Sequence, residues 1–146
     1  MNKQVILRLA AGLLLLSLLA TACAPNGDAA SLAGTSWKLV SYGSASAPQP
    51  AAPDVETNLA FGSDGKLNGS MGCNGFSGNY SVQGEKITFG PITATLMACP
   101  DPQMAQEGAA FQVLKDTANF KLDGSTLTIT SADGNTALMF TAATGK

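Results

Sequence analysis

Phe120-Lys121-Leu122-Asp123-Gly124-Ser125-Thr126-Leu127-Thr128-Ile129-Thr130 holds two short alternating runs joined at an Asp-Gly pair. Phe120 and Leu122 share one face of the first run. Leu127 and Ile129 share one face of the second, with Thr126, Thr128 and Thr130 on the other. Period two with a polar opposite face predicts half-buried antiparallel strands, and Asp123-Gly124 is tight-turn chemistry. The pattern recurs along the chain. Trp37 and Leu39, then Val40, lie in Thr35–Tyr42. Leu59 and Phe61 alternate in Asn58–Phe61, Tyr80 and Val82 before Gln83-Gly84, and Ile87 and Phe89 in Lys86–Phe89. Leu138 and Phe140 close the series. Asp64-Gly65 and Asp133-Gly134 supply further turns. About eight short strands so spaced predict a mainly β (α+β) domain, a sandwich or barrel, in which closure would remove exposed edges.

One segment departs from this pattern. Pro102 to Thr117 is rich in Ala, Gln, Glu and Lys, with Met104, Gly108, Phe111 and Leu114 at helical spacing. It predicts a helix with Asp101 as N-cap and Pro102 in the first turn, covering one end of the β-structure. Met104 and Phe111 read as core, and Gly108, costly in a helix, as a point of close contact. Gly43–Pro53 has three prolines and no large apolar residue, and reads as a mobile loop.

The N-terminus reads as an address. Lys3 and Arg8 precede an uncharged run, Leu9 to Ala20, and then Ala20-Thr21-Ala22-Cys23. The run has the length of a secretory h-region and is short for a membrane span. Small residues before a cysteine resemble the lipobox of bacterial lipoproteins. That resemblance implies cleavage after Ala22 and diacylglycerol on Cys23, with a third acyl chain in many bacteria, enough to anchor stably. Residues 1–22 are then a lipoprotein signal peptide, 23–33 a flexible tether and 34–143 the folded domain. The expected place is the cell envelope, on the outer membrane facing the periplasm where there are two membranes.

Lys+Arg number 8 against 10 Asp+Glu, a net charge of −2. Without Lys3 and Arg8 the mature part stands near −4, which argues against nucleic acid. Histidine is absent. That removes Ser-His-Asp and Cys-His catalysis and every His-ligated metal. Cys73 and Cys99 remain once Cys23 carries lipid. An even pair in an exported domain reads as a disulfide, with two buried reduced thiols as the alternative.

The residues around this pair are the most specific in the sequence. Gly72-Cys73-Asn74 runs on through Gly78 to Tyr80, and Thr95-Leu96-Met97-Ala98-Cys99 leads into the helix. These stretches resemble the signatures of the META domain family, which includes a bacterial heat-shock lipoprotein (HslJ). The family pattern is GCN-x-x-x-G-x-Y, then Thr-x-Met-x-Cys, then a helix with an acidic residue, here Glu107, then an L-T-I strand, here Leu127 to Ile129. Gly34 to Trp37 match its opening G-T-x-W. The resemblance spans about Leu32 to Ala142. It implies a compact antiparallel barrel-like fold with one helix and a link to envelope stress, antibiotic tolerance or virulence. It implies no established molecular activity.

No catalytic residue, metal site or cofactor is expected. The glycines at 72, 75 and 78 lack the Lys-Ser/Thr and helix start of a phosphate loop and read as turns, with Asn74 bonding backbone groups. Asp64 and Asn68 do not have calcium-loop spacing. The expectation is a monomeric, non-enzymatic, membrane-tethered module that binds an envelope protein or a small apolar ligand. Its rivals are a carboxylate-based hydrolase and a copper-binding lipoprotein using Met71, Cys73, Met97, Cys99 and Met104 as soft ligands.

Overall fold

A computed structural model describes residues 32–143. The expected signal peptide, Cys23 and the tether as far as Ser31 lie outside the described residues. Within them are ten strands and one helix. The strands are β1 (Thr35–Ser44), β2 (Ala47–Pro50), β3 (Asn58–Phe61), β4 (Lys66–Ser70), β5 (Gly75–Gln83), β6 (Lys86–Phe89) and β7 (Thr93–Ala94), then β8 (Thr117–Asp123), β9 (Thr126–Thr130) and β10 (Thr136–Ala142). The helix α1 (Asp101–Val113) lies between β7 and β8. Eight strands form a closed antiparallel barrel in the order β1-β3-β4-β5-β6-β8-β9-β10, with β10 pairing back onto β1. β2 and β7 sit beside the ring, on β1 and β5.

The Phe120–Thr130 stretch forms the β8–β9 hairpin as its alternation predicts. Phe120 faces Ile129 and Leu122 faces Leu127 across it. On the next strand Leu127 faces Phe140 and Ile129 faces Leu138. These last four side chains are fully buried. Each contributes roughly 1.5–3 kcal/mol by leaving water. Leu59, Phe61 and Leu67 fill the opposite wall, so the barrel interior is a packed core rather than a ligand cavity.

Leu32, assigned above to the tether, is fully buried and accepts a hydrogen bond from Thr35 Oγ1 at 2.5 Å. The folded unit therefore includes it. Gly34 N–H donates to Phe61 O at 2.7 Å, which places the entering chain at the end of the barrel where β3 finishes and β4 begins.

The run Trp37, Leu39, Val40 has a physical cause. The register between β1 and β10 slips between Leu39 and Ser41. Val40 keeps the outward turn that alternation gives it after Leu39 and is 45% exposed, and the slip brings Tyr42 rather than Ser41 to the buried face. The Leu39 N–H donates to the Thr57 hydroxyl at 3.0 Å, and the Val40 carbonyl accepts from Ala51 N–H at 2.8 Å. A bulge adds twist, which helps a short sheet close.

Gly43–Pro53 is not simply a loop. β1 runs on to Ser44, and Ala47–Pro50 pairs with it as β2. Because Ala51 N–H points at β1, alternation turns positions 48 and 50 to the free edge. Both are proline, which needs no partner there and blocks further pairing. β4 also had no signal, since its only large apolar residue is Leu67. Gly78 lies inside β5 rather than before it. A Cβ there would sit 2.9 Å from Ile92 Cδ1 and 3.1 Å from Pro91 O, so glycine lets the β6–β7 connection close over the strand.

The helix ends at Val113, earlier than Thr117. Asp116 takes a left-handed φ of 52°, and the chain then enters β8. Pro100, not Asp101, occupies the N-cap, without a side-chain capping bond. Asp101 instead places its charge in the first turn, where the helix dipole favours it. The buried face is Gln106, Glu107, Ala110 and Val113, continued by Leu114. Met104 is 41% exposed and so is not core. Phe111 is only half-buried, its ring edge-on to Phe76 at 5.6 Å. Gly108 makes no close contact, since an added Cβ would meet nothing within 4 Å.

Candidate functional site

The motif residues gather at the barrel end covered by α1, where the β4–β5 loop, the segment after β7 and the helix meet. Asn74 is their hub, and it is buried. Its backbone N–H donates to Glu107 Oε2 at 2.6 Å, and its side-chain amide donates to Glu107 Oε1 at 2.7 Å. The same amide donates to the Met97 carbonyl at 3.3 Å. Its Oδ1 accepts from Thr95 Oγ1 at 2.8 Å and from Met97 N–H at 2.7 Å. One side chain thus ties three segments together. Hydrogen bonds to a charged acceptor are the stronger kind, and both carboxylate oxygens of Glu107 are engaged.

Gln106, beside it, braces the same junction. Its Nε2 donates to the Met71 carbonyl, and its Oε1 accepts from Ala52 N–H at 2.7 Å. The loop after β2 and the loop after β4 are therefore held to one helix turn. Gly72 has φ of 103°, and a Cβ there would lie 2.3 Å from Val55 Cγ1. Only glycine fits both the turn and the contact.

Cys73 and Cys99 form a disulfide, with Cα atoms 6.0 Å apart. It joins the β4–β5 loop to the residue before Pro100. Tyr80, the last residue of the first motif, stands apart on β5. Its hydroxyl donates to the Gly62 carbonyl at 2.9 Å, and its ring packs edge-on to Phe61 at 4.9 Å. Burial, and then the nearby Asp64 charge, raise its pKa above the ordinary tyrosine value. The motif residues are thus joined in one lock, except Gly78 and Tyr80, which serve the barrel wall.

A model of the META domain family matches residues 30–144. The chain belongs to the META domain family. No curated protein matches it. The META domain is similar to a protein from Burkholderia xenovorans solved by NMR, with 25% identity and a TM-score of 0.67 over 82% of this chain and 89% of that one. A second NMR structure has 23% identity and a TM-score of 0.61, covering 77% of this chain and 92% of that one. A crystal structure of a DUF4847 family protein from Bacteroides vulgatus has 14% identity and a TM-score of 0.56, covering 79% and 96%. The last two likenesses are of fold alone.

Beside the lock this META domain carries a feature that the strand pattern did not signal. A groove of about 530 Å³ runs between α1 and the β6–β7 connection. Phe89, Pro91, Ile92, Leu96, Phe111 and Leu114 line it, with Lys115 and Asp116 at one rim. Leu96 is 98% exposed. The hint in the sequence is the apolar Pro91-Ile92 ahead of the second motif and Leu96-Met97 within it. Among the described residues Glu107 is the one buried acid, and no cluster of three His, Cys, Asp or Glu is placed to hold a metal.

Proposed function

We propose that this META domain is a non-enzymatic binding module of the cell envelope, tethered to a membrane through lipid on Cys23. It takes an apolar molecule, or an apolar side chain of an envelope protein, in the groove between α1 and the β6–β7 connection. The observation that carries this reading is Leu96, an almost fully exposed leucine at the mouth of a groove lined by Ile92 and Phe111. Apolar concavities with a few polar groups at the rim are the usual form of a ligand site. The buried carboxylate of Glu107 is held by Asn74, which favours a structural role for it over general acid–base work. The family resemblance supplies the link to envelope stress or antibiotic tolerance. In a bacterium with two membranes, Ala24 after the lipidated residue favours the outer membrane, with the domain in the periplasm as a monomer.

Two measurements test this reading. Mass spectrometry of the protein taken from membranes should find acylated Cys23 as the first residue. An unprocessed Met1 or an unmodified Cys23 would refute the anchor. Titration with the uncharged apolar fluorophore N-phenyl-1-naphthylamine should saturate the wild-type domain. Leu96→Asp should abolish that binding while changing stability by less than about 0.5 kcal/mol, as expected for an exposed site. Equal binding by the variant would place the site outside this groove.

A further inference from the structure

Three sulfur atoms meet beside the lock, and one of them is not where a core residue would be. Met104, on the first turns of α1, is half in solvent, and its Sδ lies 3.8 Å from Cys73 Sγ. Cys73 Sγ is bonded to Cys99 Sγ at 2.00 Å. Asn74 Nδ2 lies 3.3 Å from Cys73 Sγ. Both cysteines are only half-buried.

We propose that, once the disulfide is reduced, Cys73, Cys99 and Met104 form a thiolate–thioether site for Cu(I). A dithiol donor supplies two electrons and two protons and leaves as its own disulfide, and Cys73 and Cys99 become thiols. Cu(I) then displaces both protons, binding two thiolates and the Met104 thioether. With metal–sulfur bonds of about 2.3 Å, a trigonal site has sulfur–sulfur distances of about 4 Å. The Cys73–Met104 pair already has that spacing. The Cys73–Cys99 pair must open from 2.00 Å, by swinging the side chains of two residues whose Cα atoms are 6.0 Å apart, and the exposed Met104 thioether follows them. The Asn74 N–H that reaches the Met97 carbonyl at 3.3 Å lies equally close to Cys73 Sγ and can be shared with its thiolate. Soft thiolate and thioether ligands select Cu(I), whereas a structural zinc site needs a fourth Cys or His, and the sequence has no histidine. Met71, although a sulfur residue of the same stretch, is fully buried and lies outside the site.

The test uses the full mature chain with Cys23→Ser, so that only two thiols can form. After reduction with a phosphine, Cu(I) is offered anaerobically as its bicinchoninate complex. The reduced chain should take one Cu(I), with three sulfur neighbours at about 2.3 Å by X-ray absorption. The disulfide form should take none. Met104→Leu should weaken the reduced chain's affinity at least about tenfold, the lower end of what even an outer-shell partner costs. Copper left with bicinchoninate, or a Met104→Leu variant that binds as the wild type does, overturns the proposal. If reduction alone unfolds the chain, Cu(I) should restore the native emission of the single tryptophan, Trp37. Copper uptake without refolding also overturns it.

Discussion

Asn74→Ala should lower the unfolding free energy by about 2–4 kcal/mol, a large share of the stability of a domain this size. The variant loses the side-chain hydrogen bonds to Glu107, Met97 and Thr95 and leaves a buried carboxylate with one donor in place of two. A buried charged acceptor that loses its partner is costlier than the bond was worth. Glu107→Gln should cost less, about 1–3 kcal/mol, because one oxygen survives while the new amide meets a donor head-on. Asn58→Ala, on the exposed outer face of β3, should change stability by less than about 0.5 kcal/mol. Denaturant midpoints of the three variants check the order. An Asn74→Ala loss no larger than that of Asn58→Ala would remove the lock from the account.

The second large effect is that of the disulfide. Replacing both Cys73 and Cys99 by Ser opens a loop whose ends are 26 positions apart. The chain-entropy model gives a loss of about 3.5 kcal/mol. For a domain of this size the melting temperature should fall by roughly 10–15 °C. Binding in the groove should persist in the protein that remains folded, since neither cysteine lines it. Two free thiols in unreduced, exported protein would show that the bridge does not form in the cell.

The strands legible in the sequence were those that alternate two large apolar residues, as in Leu127 and Ile129. β4 carries one, Leu67, and β2 carries none, so tertiary pairing alone makes them strands. The helix was legible in existence and start, but not in its end or its facing. Its period placed Met104 and Phe111 inward, whereas Gln106 and Glu107 take the buried face because Met71, Ala52 and Asn74 supply their hydrogen bonds. A buried polar face is invisible to a hydrophobic pattern. Motif residues such as Asn74 could be named from resemblance. Their mutual contacts depend on three segments meeting, which no local spacing encodes. The apolar groove was missed for the same reason, since Ile92 and Phe111 are brought together only when α1 packs beside the β6–β7 connection.

Amide chemical-shift mapping of the domain with N-phenyl-1-naphthylamine tests most directly whether binding lies in the groove and the motif residues form a structural lock. Saturable shifts are expected at Ile92, Ala94, Leu96, Phe111 and Leu114, with Gly72, Asn74 and Glu107 unmoved. Shifts centred on Gly72, Asn74 and Glu107, with the groove amides unchanged, would contradict this.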